Sequence, residues 1–218
     1  MSDRHPTRRT RVRRLAQRGH YDRDTLYAIL DEGLVAHVGF AIDGQPYVIP
    51  MAYARAGDTL ILHGSVASRL VRTLAGGLDV SVAVTLLDGI VLARSLFDHS
   101  MNYRSVVLFG RAHRVATHDE KRAALEALTE HLIPGRSRDA RGPSPQELAA
   151  TDVLVLPIDE GSAKIRSGPP GDSKPEDPAI WAGVIPLATV PGPPIPDPDV
   201  PEGMEPPGYV RQYRRPTP

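Results

Sequence analysis

LVAHVGFAI (34–42), the pair DG (43–44) and PYVIPMAYA (46–54) decide the fold. The outer pieces are short runs of apolar, β-branched and aromatic residues, and an Asp-Gly link between two such runs is a strong local hairpin signal. Pro50 falls inside the second run. It removes a ladder donor there, so this strand is predicted at a sheet edge or bulged. Gly57-Asp58 punctuates the next strand, TLILH (59–63), and further strands are read at 79–87, 89–96, 103–115 and 152–159.

Helices are few. One is read at 24–32, with Asp24 as its cap and Leu26, Ile29 and Leu30 on one face. A second spans 66–77, capped by Ser65 and ended by Gly76 and Gly77. A third, at about 118–132, starts at an Asp-Glu pair and carries Leu125, Leu128 and Leu132. Strict β–α alternation needs more helices than this. The expectation is a mainly β protein, a closed or split antiparallel barrel with helices packed outside.

Composition narrows the chemistry. The 218 residues include 22 Pro and 19 Gly, no Cys, and a formal net charge of zero. The missing cysteines exclude a disulfide scaffold, a zinc ribbon, an iron–sulfur centre and a thiol nucleophile. No run of 18 apolar residues occurs, and the basic N-terminus has no apolar stretch of the secretory kind, so a soluble cytoplasmic protein is expected. Charge and proline are uneven. Residues 1–23 hold eight Arg against Asp3 and Asp22, and residues 169–218 hold 15 of the 22 Pro. We read a basic arm (1–23), one domain (24–190) and a proline-rich tail (191–218). The arm could touch nucleic-acid phosphates. No aromatic residues are interleaved for base stacking, however, and with only three Lys in the chain Arg is the default cation, which argues against nucleic acid as a partner.

Three stretches can carry chemistry. LILHGSVASRLVRTL (60–74) delivers a strand into a helix N-terminus, where Ser65, Ser68 and Arg69 could meet a phosphate. By composition alone the default is Ser65 as a plain cap, Arg69 as a solvated helix residue and His63 as a rim histidine. In HSMNYRSVVLFGRAHRV (99–115), Tyr103, Ser105, Val107 and Phe109 share one strand face, and Gly110 marks a bulge or a close approach. In SAKIRSGPPGD (162–172), Lys164 and Arg166 alternate on one face ahead of Trp181. They suit an anion or, equally, a charge-guarded edge strand. The eight His show no metal-ligand spacing, and the common nucleotide, zinc-protease and serine-hydrolase motifs are missing.

PYVIPMAY (46–53), LILHGSVASRL (60–70), YRSVVLFGRA (103–112) and LPIDEGSAKIRSG (156–168), in that order, resemble the pyridoxamine 5′-phosphate oxidase-like FMN-binding split-barrel family. Within it the chain is most similar to the flavin-nucleotide-binding branch that includes the nitroimidazole-resistance (Nim) proteins, over roughly 10–190. The resemblance implies a six-stranded antiparallel split β-barrel forming a homodimer, with FMN as cofactor at the interface. It implies that Ile49, Pro50, Met51, Ala52 and Tyr53 run along the flavin ring, largely through backbone, and that Ser68 and Arg69 meet the phosphate. Tyr103, Arg104 and Ser105 would reach the site across the interface, with Lys164, Arg166 and Trp181 as further candidates. His63 would be the substrate-side catalytic residue. The implied activity is reduction of a small flat acceptor, a nitro-aromatic for example, with flavin storage or sensing as the alternative. The tail GYVRQYRRPTP (208–218) lacks the Arg-x-His signature of true pyridoxamine-phosphate oxidases, which argues against pyridoxal-phosphate synthesis. Haem-utilisation and deazaflavin relatives leave the identity of the cofactor open.

Overall fold

The computed structural model describes residues 5–171 and 179–215, so residues 1–4 of the arm and 216–218 of the tail lie outside the described residues. In chain order the elements are β1 (Gly19–His20), α1 (Arg23–Glu32), β2 (Val35–Ile42), β3 (Gln45–Ala56), β4 (Thr59–Ser65), α2 (Arg69–Ala75), β5 (Asp79–Leu92), β6 (Ser100–Arg111), β7 (His113–Arg114), α3 (His118–Leu132), α4 (Pro145–Ala150), β8 (Thr151–Pro157), β9 (Glu160–Arg166), β10 (Gly183–Pro186) and α5 (Gly208–Arg211). Among the described residues all the strand pairings are antiparallel, and the sheet runs β1-β9-β6-β5-β2-β3-β4-β8-β7, with β10 added to β5.

The Asp43-Gly44 turn takes positive φ at both residues, 50° and 82°, as a two-residue hairpin of this hand requires, and Ile42 pairs with Gln45 across it. Six strands become visible once β8 and β9 are taken together. Only Ile158 and Asp159 separate them, and β6 with its continuation β7 runs alongside both, β6 on β9 and β7 on β8. Pairing lapses at these joints, so the curled sheet is a split barrel and not a closed ring. Its interior holds Val38, Leu60, Leu62, Val82, Val106, Leu108, Leu154 and Leu156, plugged by Leu26, Ile29 and Leu30 of α1 and by Val71 and Leu74 of α2. A second, smaller core lies on the outer face, where Ala54, Ile61 and Val153 meet Ala124 and Leu128 of α3.

Three local readings need correction. Asp22, not Asp24, caps α1, its carboxylate accepting from the Thr25 amide at 2.8 Å, while Asp24 sits in the first turn. The α2 helix starts only at Arg69. Ser65 accepts from the Ala67 amide in a preceding turn, and Ser68 occupies the cap position without a side-chain cap bond. The runs 79–87 and 89–96, read as two strands, form one 14-residue strand up to Leu92, because the ladder carries on past Asp88-Gly89 through a register shift.

Described residues of both the arm and the tail pack on the domain. Gly19 and His20 pair with β9, and Arg9 donates to Glu160 at 2.8 and 2.6 Å. At the other end Arg215 donates to the carbonyls of Asp31, Glu32 and Gly33, at 2.7–3.1 Å, and to that of His131. The last carbonyls of a helix have no partner within it, and a cation there also complements the helix dipole. Arg215 thus caps α1 from 182 or more residues away.

Candidate functional site

The split itself makes the site. Residues 45–52 of β3 pair only with β2, whereas 53–56 pair only with β4. The strand changes partner between Ala52 and Tyr53, so among the described residues 45–52 has no ladder on the side away from β2. Pro50 lies in this open-edged segment, where a missing donor is tolerated. Beyond Leu62 the strand β4 pairs with β8 alone, diverges from β3 and runs into α2.

Gly64 sets how close α2 comes. A Cβ at this position would stand 2.7 Å from Cγ2 of Val71, so only glycine lets the helix sit on the strand end. The Arg69 guanidinium then lies 4.9 Å from the ring centroid of Tyr47, which is itself stacked on Phe40 at 5.4 Å. Arg69 is exposed, and among the described residues no carboxylate pairs with it. The Ser68 hydroxyl beside it is not used as a cap. Val48 (63% exposed) and Ile49 present apolar surface along the open edge, with Pro50 also exposed and Met51 and Ala52 half-buried. Tyr53 turns inward: its side chain is fully buried and its hydroxyl donates to the Leu30 carbonyl at 2.6 Å, so only its backbone faces the edge region. Burial pushes the ionisation of that hydroxyl above its ordinary value.

The remaining candidates lie elsewhere. Arg104 is clamped by its own chain, donating to Asp88 at 3.0 and 2.7 Å and to Glu32 at 2.9 Å and through a second, short contact. The Asp88 and Glu32 hydrogen bonds together raise its pKa further. Ser105 donates to the Lys164 carbonyl at 3.2 Å, across the β6–β9 ladder. Tyr103 stands opposite Arg166 on the same ladder. Arg166 is buried, its guanidinium bound to Asn102 and to the carbonyls of Gly168 and Pro169, so the charge-guarded edge reading fails for it: β9 lies between β6 and β1. Trp181 is 66% exposed and precedes β10.

His63 faces away from α2. Side chains alternate along a strand, and since Gly64 looks toward α2, His63 looks with Ile61 toward α3. It lines a cavity of about 690 Å³ under α3 and the 136–143 loop. Its Nδ1 is buried and has no hydrogen-bond partner among the described residues. The structure thus brings Tyr47, Val48–Ala52, Ser68 and Arg69 around one gap and sets His63 on the other face of β4. Tyr47 was not among the sequence candidates. Its signal was present, an aromatic within PYVIP, but its meaning depends on Arg69 arriving above it.

Burial holds the imidazoles of His63 and His131 below the ordinary histidine value; at His131 the hydrogen bond to the Gly33 carbonyl (2.7 Å) opposes this only in part. In the unfolded chain both titrate near ~6.5. As the pH falls, the unfolded chain therefore takes up protons first. The stabilisation is complete above the unfolded value and is lost as the pH falls through the lower folded values. Thermal melting is expected to drop between pH 7 and pH 5, and a His63→Gln/His131→Gln double variant to show a shallower slope; equal slopes would refute this account.

The pyridoxamine 5′-phosphate oxidase family model matches residues 22–165. Among solved structures, the flavocytochrome Anf3 from Azotobacter vinelandii is 40% identical, with a TM-score of 0.89 over 96% of this chain and 98% of that one. The FAD and heme binding protein from Mycobacterium smegmatis is 43% identical, with a TM-score of 0.85 over 89% of this chain and 96% of that one. A Bacteroides thetaiotaomicron structure described as a 5-nitroimidazole antibiotic resistance protein shares the fold at 24% identity, with a TM-score of 0.57 over 67% of this chain and 86% of that one. No match is found among curated proteins.

Proposed function

The chain belongs to the pyridoxamine 5′-phosphate oxidase family, and from that premise we propose that it is a flavin-binding oxidoreductase that also carries haem. The observation that carries the flavin part is the gap between the open edge of β3 and the start of α2, with a cation and a hydroxyl on its rim that, among the described residues, have no carboxylate partner and no cap bond. A flavin supplies one- and two-electron chemistry when bound, and the protein's part is to hold and orient it. Arg69 and Ser68 would bind the phosphate, the fork of the guanidinium matching its oxygens. The unpaired backbone groups of 45–52 would meet the polar edge of the ring system, and Val48 and Ile49 would pack against its apolar part. FMN is the nucleotide that the motifs suggest; the name of the Mycobacterium smegmatis protein widens this to FMN or FAD, and the names of both similar structures add haem.

A homodimer belongs to this reading. Leu96 and Phe97 are more than 90% exposed, and Ile90, Met101, Ile180, Trp181 and Ile185 also show large apolar surface, as a self-association face would. A second subunit seated there would bring its own residues to the flavin gap. The proposed reaction is transfer of electrons to a small, flat acceptor lying on the flavin.

The test is the purified chain itself. A yellow protein is expected, releasing FMN or FAD on denaturation, eluting at twice the chain mass, and oxidising NAD(P)H or another reductant when a nitro-aromatic or quinone acceptor is added. A colourless protein that leaves added FMN and FAD fluorescence unquenched would overturn the flavin reading. Flavin binding without turnover on any donor and acceptor would replace catalysis by storage or sensing.

A further inference from the structure

The proline-rich tail stands off its own domain between two anchored ends. Residues 185–205 are exposed without interruption. Before them β10 is held on β5, and after them Tyr209 packs on Gly135 and Tyr213 donates to the Leu132 carbonyl at 2.8 Å. Among the described residues, the amides of this strap that donate do so to near neighbours, Val200 to the Asp197 carbonyl at 3.0 Å and Met204 to that of Pro201 at 3.1 Å. Val190, Ile195 and Met204 are 78%, 92% and 62% exposed. Apolar side chains held out on a segment that is tied at both ends mark a surface for another molecule. Proline suits such a strap, because a chain whose φ is fixed by its rings loses little freedom on docking.

Charge names the occupant. Between Ala179 and Val210 the strap carries Asp197, Asp199, Glu202 and Glu205 and no Lys or Arg. Among the described residues only Glu205 has a cation near it, Arg211 at 3.9 Å. The N-terminal arm is the complement, since residues 5–21 hold six Arg and no acid. Arg9 is engaged by Glu160, and the Val12 amide donates to the Tyr21 hydroxyl at 3.0 Å, which fixes the arm on the domain. Arg8, Arg11, Arg13 and Arg14 are exposed, and among the described residues no carboxylate pairs with them. Leu15 beside them is 40% exposed. Arm and strap match in charge, and both show apolar surface, yet they do not pair within one chain. We propose that the strap of one subunit lies on the N-terminal arm of a second copy, with Asp197, Asp199, Glu202 and Glu205 against Arg8, Arg11, Arg13 and Arg14. Nucleic acid on the arm would leave the acidic strap uncovered, and a basic protein on the strap would leave the arm uncovered. A second copy covers both, and the two-fold symmetry of a dimer repeats the contact. This inference rests on the homodimer of the function proposed above and is independent of any cofactor.

The experiment uses the absence of cysteine from the chain. Ile195→Cys in the full-length protein introduces a single thiol, which is coupled to benzophenone maleimide and irradiated. A covalent dimer is expected, and mass spectrometry of its fragments should join the strap to residues 5–18. Exposed charge pairs are screened by salt, so the yield should fall at least ~3-fold between ~0.05 M and ~0.5 M NaCl. Asp197→Lys/Asp199→Lys/Glu202→Lys/Glu205→Lys should lower the yield ~10-fold, as should Arg8→Glu/Arg11→Glu/Arg13→Glu/Arg14→Glu, and the two sets combined should restore it. Circular dichroism of each variant shows that it has folded, and where one has not, the salt series on the unreversed protein decides. Arm–strap links confined to the single-chain band, links to any other surface of the second copy, or a yield that charge reversal and salt leave unmoved would each overturn the docking. Elution separates the two failures. A chain running at its own mass removes the homodimer and this proposal together, whereas twice that mass without an arm–strap link removes this proposal alone.

Discussion

Arg104→Ala should lower the stability of the fold by ~3 kcal/mol or more, the cost of leaving buried or half-buried carboxylates without their cation. Arg104 joins three elements: it projects from β6, Glu32 ends α1, and Asp88 is at the register shift of β5. Its side chain is 19% exposed, Glu32 15% and Asp88 32%, so solvent screens this cluster only in part. Without the guanidinium, two negative charges are left facing the same space. For a chain of this size each kcal/mol moves the melting temperature by roughly 2–4 °C, so a fall of roughly 6–12 °C is expected by calorimetry. Arg104→Lys should recover only part of it, because an ammonium lacks the planar fork that bonds both carboxylates at once. Melting unchanged within 2 °C would show that the cluster contributes little, as exposed ion pairs do.

Arg69→Ala should weaken binding of FMN or FAD ~10- to 100-fold, the equivalent of losing a charge-assisted hydrogen-bond pair of roughly 1.5–3 kcal/mol. The same variant should leave the melting of the flavin-free protein almost unmoved, since Arg69 is exposed and among the described residues its guanidinium meets the Tyr47 ring and no carboxylate. Riboflavin separates phosphate recognition from ring recognition. It carries no phosphate, so its affinity should be the same for the variant and the unaltered protein. Tyr47→Ala should show a smaller loss for FMN and FAD, through the missing ring beneath the guanidinium, and none for riboflavin. Equal FMN affinity in Arg69→Ala would move the phosphate away from the start of α2.

Local patterns were legible because they depend on neighbours in the chain. The Asp43-Gly44 hairpin, the apolar face of α1 and the span of α3 follow from turn chemistry and periodicity. Pro50 also indicated its own surroundings, since a residue without an N–H is tolerated only where a ladder is open. Reading failed where a residue had two local uses. Asp88-Gly89 has the composition of a turn, but strand β6 holds it in the ladder as a register shift. Ser65 and Ser68 both suit a cap, and the packing of Val71 against Gly64 decides where the helix begins.

By itself, the sequence determined the strand and helix types, the absence of thiol chemistry and the four ordered motifs that resemble this family. Tertiary structure alone decided the rest. It set the point where β3 changes partner, the face on which His63 lies, the pairing of Arg104 with Glu32 across 72 residues, and the return of Arg215 to cap α1. The reason is physical. Turn and helix preferences act over a few residues, whereas a guanidinium finds its carboxylate, and a histidine its cavity, only after the sheet has curled and brought distant segments together.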